Sequence, residues 1–429
     1  MKKILLWILV VSMIVVFSMV GYLIRYKTPA VEEAPAENPV TIKVWEQMEP
    51  AAQKVFDAVQ ADFEAEYPLI TIKRTHYATE DLRTNYLNSA IASGGPDIVY
   101  GPSDNIGIFL TADVIQAVTG IVSDEFLAKI AANALADGEV NGKNWSIPDI
   151  HGNQIALLYN KAYVQEAPAT WEELVEVATA TQDVDNGLYG FMYNEKEPYW
   201  FVGFFNGYGG DVMDDENNPT LDNEAMVKAL QFALDIREVD GVGVEGMDYD
   251  TTDAAFKEGN AVFILNGAWS WTSYTDAGID LGIAPGPVLP GGNNMTFYAS
   301  TKGYSVSKDV DLTDVDKVNA LKLFFDFFVG TAENNAKFAL ANSQAPTNKA
   351  ALELDEIKSN VLQQATISTI QNTVPMPIVA ETRGIWDAIR PELEAVIYSG
   401  KDPAKAATAM QKRAEEAIAT IRVKVPAEK

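Results

Sequence analysis

Apolar positions near the start of the folded region switch between a period of two and a period of 3.6. Thr41–Val44 alternates as a short strand, and Ala51–Tyr67 reads as a helix with Phe56, Val59 and Phe63 on one face and Pro68 as its stop. Ile70–Lys73 is a second strand. Thr79 is a good N-cap for a helix to Ser93 that Gly94-Gly95 ends, and Pro96–Tyr100 is a third strand. This order predicts a mostly parallel sheet with helices on both faces. A second unit begins near His151, with a strand at Ile155–Tyr159, a capping box at Thr170-Trp171-Glu172-Glu173, and Met226, Leu230 and Ala233 in helical spacing after Asp222. Asp253–Tyr274 is the densest stretch. Ala254–Phe256 is an apolar patch, Gly259 a helix stop, Ala261–Leu265 an apolar strand, and Asn266-Gly267 a turn that leaves Trp269 and Trp271 on a loop. Gly282–Asn294 reads as turn-rich, and Lys317–Phe328 as helical.

Composition places this pattern outside the cytoplasm. Lys2 and Lys3 precede an uncharged, mostly apolar run from Ile4 to Ile24, long enough for a helix to cross a bilayer core. A secretory signal's apolar core is shorter, and the cleavage motif Ala34-Pro35-Ala36 lies well beyond the run, so an uncleaved signal anchor is expected at 1–27 over a secreted, cleaved form. Residues 28–40, rich in Pro, Ala and Glu, read as a tether. The net charge is −28; the first forty residues hold four cations and three carboxylates, so the remainder carries −29. Such a field repels nucleic acid and anionic headgroups and favours neutral or cationic ligands. There are no cysteines, hence no disulfides and no cysteine-based zinc site. No P-loop, dinucleotide fingerprint or Gly-x-Ser-x-Gly elbow is present, and neither a cofactor nor a metal is expected. His151 beside Asp149 reads either as a ligand contact or as a structural polar histidine.

Six islands carry a resemblance: Gly95-Pro96-Asp97-Ile98, Tyr159-Asn160-Lys161, Thr170-Trp171-Glu172-Glu173, Glu197-Pro198-Tyr199, Asn266-Gly267-Ala268-Trp269 and Met376-Pro377. From about residue 40 to 424 the chain resembles the bacterial extracellular solute-binding proteins, and among them the maltose/maltodextrin-binding proteins of ABC importers. The resemblance implies an α/β, periplasmic-binding-protein-like fold, with two Rossmann-like lobes joined by a multi-crossing hinge. Lobe I would comprise 41–150 and 301–346, and lobe II 151–300 and 347–424. The chain would return to the first lobe at Thr301–Lys308 and cross again near Gln344–Asn348. It implies a monomer that is not an enzyme, with an oligosaccharide as ligand, maltose or maltodextrin first, and ABC permease subunits as partner.

Carried over by position, Glu197 resembles a carboxylate that accepts from sugar hydroxyls, and Tyr199 a ring that stacks on a glucosyl unit, with Trp200 beside it. Trp269 and Trp386 resemble the indoles flanking the glucan chain, and Arg390 an arginine near the cleft floor. Asp104 takes the place of a hydroxyl-binding aspartate; Glu49 matches another acidic position. Carboxylates and flat aromatic faces are what neutral sugars require, and strand ends on two facing sheets converge on the crevice between them. The pattern departs at Gly101, Asn105 and Pro50, which replace a tryptophan, an arginine and a lysine, and at Asn153, which replaces a glutamate. A first-lobe face poorer in charge and aromatics is therefore expected. Two other functions remain open: a sugar-sensing ectodomain paired with a signalling receptor, and a glycan-cleaving enzyme.

Overall fold

The computed structural model describes residues 38–91 and 94–424. The expected membrane anchor at 1–27 and most of the tether lie outside the described residues. Within them no helix is long and apolar enough to cross a membrane.

The chain starts as strand β1 (Val40–Glu46), helix α1 (Pro50–Glu66), β2 (Ile70–His76), α2 (Thr79–Ile91), β3 (Ile98–Pro102) and the short helix α3 (Asn105–Thr111). After small elements it reaches β4 (Ile147–His151), and Gly152–Gln154 lead into β5 (Ile155–Asn160). Then come α4 (Trp171–Thr181), β6 (Tyr189–Met192), α5 (Pro198–Gly207), α6 (Glu224–Glu238), α7 (Tyr249–Lys257), β7 (Ala261–Gly267) and β8 (Leu281–Ala284). β9 (Thr301–Ser307), α8 (Val315–Phe325), β10 (Ala345–Pro346), α9 (Val361–Ile370), α10 (Glu381–Ser399) and α11 (Pro403–Lys424) complete it.

The first sheet runs β10-β4-β9-β3-β1-β2, with Ile115–Gln116 also paired to β9; the second runs β8-β5-β7-β6. β1 is parallel to β2 and β3, as the period switching predicts. The sheets as a whole are mixed, however: β9 is antiparallel to β3 and β4, and β5 is antiparallel to β7 and β8. A parallel neighbour needs a long crossover returning over the same sheet. β9 instead arrives from the other sheet and inserts between two strands from its opposite end. The stretch expected to be turns from Gly282 onward begins inside β8; only its later part is loop.

Each sheet has its own core. Ile42, Val44, Phe56, Phe63, Ile98, Tyr304, Phe324 and Phe328 belong to the first, and Leu157, Trp171, Phe191, Phe204, Ile264, Ile385 and Leu393 to the second. Ala351 and Ile357 pack in the first core, and Asn348 Nδ2 donates to the Val329 and Gly330 carbonyls, so residues 348–357 stand with the first sheet. The later crossing is made by α9, whose Gln363 donates to the Ala339 carbonyl at 2.8 Å while Leu362 and Ala365 rest on the second core.

Three connections thus lie side by side. Gly152 and Asn153 both donate backbone N–H groups to the Ser300 carbonyl, Gln344 Nε2 reaches the Gly152 carbonyl at 3.1 Å, and Gln154 Nε2 reaches Thr369 Oγ1 at 2.9 Å.

Candidate functional site

β1 and β3 end at the same edge of the first sheet. Beyond β1, Glu49 is the exposed N-cap of α1, followed by Pro50 at the first helical position, where its missing N–H costs nothing. Beyond β3, Asp104 is the half-buried N-cap of α3. A Cβ at Gly101 would come within 3.2 Å of Gln47 Oε1 and Asn105 Nδ2, so these two amides occupy the room a larger residue at 101 would need.

From the second sheet, α5 opens with Glu197 as its N-cap and Pro198 at its first turn, which sets Glu197, Tyr199 and Trp200 at the helix start. Glu197 is held by both arms of the Arg390 guanidinium, at 2.5 and 3.1 Å. The planar fork matches the carboxylate, so each fixes the other's orientation. The Tyr199 hydroxyl donates to the Asn153 carbonyl in the first crossing and lies 3.2 Å from the Tyr298 carbonyl in the second. Burial, then the Asp104 carboxylate across the gap, push its pKa above the ordinary phenol value, so it remains a donor. Asn153 Nδ2 in turn donates to Ser300 Oγ at 3.3 Å.

The tryptophans divide by burial. Trp200 is 6% exposed and donates its indole N–H to the Leu265 carbonyl at 2.9 Å. Its ring lies edge-on to Trp269 at 6.0 Å and to Tyr199 at 6.1 Å, so it supports those two rings from behind. Trp269 is half-buried, with its N–H on the Tyr249 hydroxyl at 3.1 Å. The ring folds over Gly267, where a Cβ would stand 2.1 Å from indole carbons. Trp269 and Trp271 were expected on a loop; they lie in a helical turn (Ala268–Ser270) that runs into the helix Trp271–Asp276, and Trp271 is fully buried. Trp386, one helical turn before Arg390 on α10, is 6% exposed and touches the Tyr298 ring at 6.1 Å.

Charge reaches from the first-sheet side to the second at two of the expected residues, Glu49 and Asp104. The Glu49 charge is felt by Tyr249 on α7, and the Asp104 charge by Tyr199 on α5. Tyr249 and Tyr298, neither anticipated, are the groups that hold Trp269 and face Trp386. The Asp248 capping box announces the helix that Tyr249 begins, but nothing in the sequence nominates its hydroxyl.

His151 is largely buried, with 12% of its side chain exposed. Its Nε2 stands 3.6 Å from Asp137 Oδ2, and burial pushes its pKa down to about 4 and that of Asp137 up to about 7. Asp149 is fully buried in the first lobe, accepting from Asn335 Nδ2 at 2.8 Å and the Tyr100 hydroxyl at 3.3 Å, with its pKa raised to about 7 by burial. Among the described residues no group of His, Asp and Glu side chains is arranged to hold a metal ion.

Two half-exposed aromatic rings with their polar atoms tied back, and carboxylates on both sides of a gap, make a surface for a neutral polyhydroxylated ligand. Known proteins share this architecture. The maltotriose-binding protein of Pyrococcus abyssi is 27% identical over 365 residues, 84% of this chain and 78% of its own. The galactooligosaccharide-binding protein of Bacillus subtilis is 26% identical over 399 residues, 89% of each. The maltose/maltodextrin-binding domain from Bdellovibrio bacteriovorus, solved with maltotriose bound, superposes with a TM-score of 0.82 at 30% identity, covering 89% of this chain and all of that one. The family model for bacterial extracellular solute-binding proteins matches residues 45–335, and the chain belongs to that family.

Proposed function

We propose that this protein binds an oligosaccharide outside the cytoplasm, in the crevice between its two lobes, and delivers it to an ABC importer. The observation that carries this reading is the pairing of Trp269, held open-faced over Gly267, with the Glu197–Arg390 pair on the same lobe. An indole face takes the apolar C–H side of a sugar ring, while carboxylate and guanidinium take its hydroxyls. Glu49 and Asp104 on the facing lobe complete the set of acceptors. A ligand touching both lobes stabilises the closed arrangement over the open one, and the importer distinguishes the two. Relatives binding maltotriose and galactooligosaccharide support the ligand class, with α-glucans first. Of the site residues Glu49, Asp104, Asn153, Glu197, Tyr199, Trp200, Trp269, Trp386 and Arg390, the buried Trp200 and Trp386, with Asn153, hold the others in place, and the rest meet sugar. In place of the expected division at 346/347 and the crossing near 344–348, we take 348–357 with the first lobe, so that lobe I is 41–150 with 301–357 and lobe II is 151–300 with the chain from α9 onward. The segment 1–27, through its apolar run from Ile4 to Ile24, anchors the monomer to the membrane.

Calorimetric titration of the full chain with maltose, maltotriose, longer maltodextrins and galactotriose, with tryptophan fluorescence in parallel, tests the reading. Saturable binding with a fluorescence change is expected. A folded protein inert to every one of these sugars overturns it.

A further inference from the structure

Lys302 is the second residue of β9, in register with Pro102 at the end of β3, and the Ser103 N–H bonds to the carbonyl of the preceding Thr301. That register sets Lys302 at the sheet edge where β1 and β3 run out into Glu49 and Asp104. Its side chain is half-buried, yet among the described residues the ammonium forms no hydrogen bond and no ion pair. An ammonium taken partly out of water without a protein acceptor loses hydration that an oxygen of a ligand can replace. The charge of Glu49 reaches Lys302 without forming an ion pair and opposes the effect of burial, which lowers the lysine's pKa. The Glu49 carboxylate is likewise without a side-chain hydrogen bond to the helix it caps, and its field also reaches Tyr249, the partner of Trp269 on the opposite lobe. A donor with three unspent N–H groups and an acceptor with free lone pairs therefore face a common gap opposite the indole.

We infer that Lys302 is a ligand-binding residue, its ammonium donating to one hydroxyl oxygen of a sugar ring while Glu49 accepts from the adjacent hydroxyl. The pair selects for a vicinal diol. It also restores a cation to a face where Pro50 and Asn105 stand, from a strand that meets the other lobe and not from the loops. This inference rests on the sugar-binding reading and adds a residue and a ligand feature to it.

The test is calorimetric titration of maltotriose and galactotriose into the full chain and into Lys302→Met, Lys302→Arg, Glu49→Gln and the Lys302→Met/Glu49→Gln double variant, with melting of the sugar-free proteins alongside. Lys302→Met is expected to weaken binding of the sugar the wild type takes by roughly tenfold or more, with Lys302→Arg recovering part of it. The double variant should lose less than the product of the two single losses, because both groups hold the same ring. Sugar-free Lys302→Met should melt at or above the wild-type temperature, since it no longer shelters an unpaired cation. If it melts lower, Lys302→Arg and Glu49→Gln carry the comparison. Affinity within twofold of wild type in Lys302→Met overturns the inference alone. A wild type that binds neither sugar brings down the sugar-binding reading and this inference together, a separate result.

Discussion

Glu197 and Arg390 are locked by two parallel hydrogen bonds that join the first turn of α5 to the middle of α10. The pair is partly exposed, at 27% and 37% of the side chains, so solvent screening keeps its own contribution to stability small. Its value lies in geometry: a carboxylate and a guanidinium aimed by each other need no reorganisation to receive hydroxyls. Glu197→Gln and Arg390→Met should each weaken sugar binding by about 1–3 kcal/mol, and the double variant by clearly less than the sum. A thermodynamic cycle by calorimetry checks this; strict additivity would mean that the two act independently.

Trp269 depends on Gly267, against which its ring lies. Trp269→Ala should cost about 1–3 kcal/mol of sugar affinity while the protein stays folded. Gly267→Ala should reproduce much of that loss, because the new methyl would lie 2.1 Å from the indole and push it aside. Binding and near-ultraviolet circular dichroism of both variants decide the matter. Full affinity in Gly267→Ala would show that the ring has room to move.

Tyr199 ties the second lobe to two crossings through one hydroxyl. Tyr199→Phe should leave the melting temperature almost unchanged and increase the population of open molecules without sugar. Small-angle scattering should report a larger radius of gyration for the sugar-free variant and convergence with wild type at saturation. Identical scattering without sugar would remove the tyrosine from the hinge.

Asp149 gives a pH dependence whose sign is fixed by its burial. Its folded pKa, about 7, lies above the ordinary carboxylate value, so the native state holds a proton that the unfolded state releases. Stability from this group is present in full below about pH 4 and is lost as pH rises through about 7. Asp149→Asn keeps the Asn335 contact and cannot ionise. Its melting temperature relative to wild type should therefore rise from pH 4 to 7 and level off above. His151 acts in the opposite sense, losing stability as pH falls from about 6.5 toward 4, and is common to both proteins in the comparison. A pH-independent difference would mean that Asp149 ionises normally.

Much of the first lobe is readable along the chain. Phe56, Val59 and Phe63 repeat at helical spacing and all three are buried on α1, while the alternation in β1 matches its pattern of inward and outward residues. Strand direction was not readable, because it depends on the side from which β9 returns, and that is a property of the path through the other lobe. β8 was hidden by the Gly-Pro-rich residues directly behind it. The four tryptophans Trp200, Trp269, Trp271 and Trp386 are chemically alike, and only packing separates the buried Trp271 from the half-exposed Trp269. Lys302 was invisible for the same reason: a lysine in a strand motif declares nothing about the carboxylate it faces from more than two hundred and fifty residues away.

The three crossings, bonded to one another side by side, limit what the lobes can do. A single tether would let one lobe tumble relative to the other and sample twists that never align Glu49 with Trp269. Three neighbouring tethers behave like the spine of a book, leaving one bending coordinate and suppressing rotation about the long axis. The search for the closed form is then nearly one-dimensional, so a sugar resting on either page meets the other with little loss of conformational entropy.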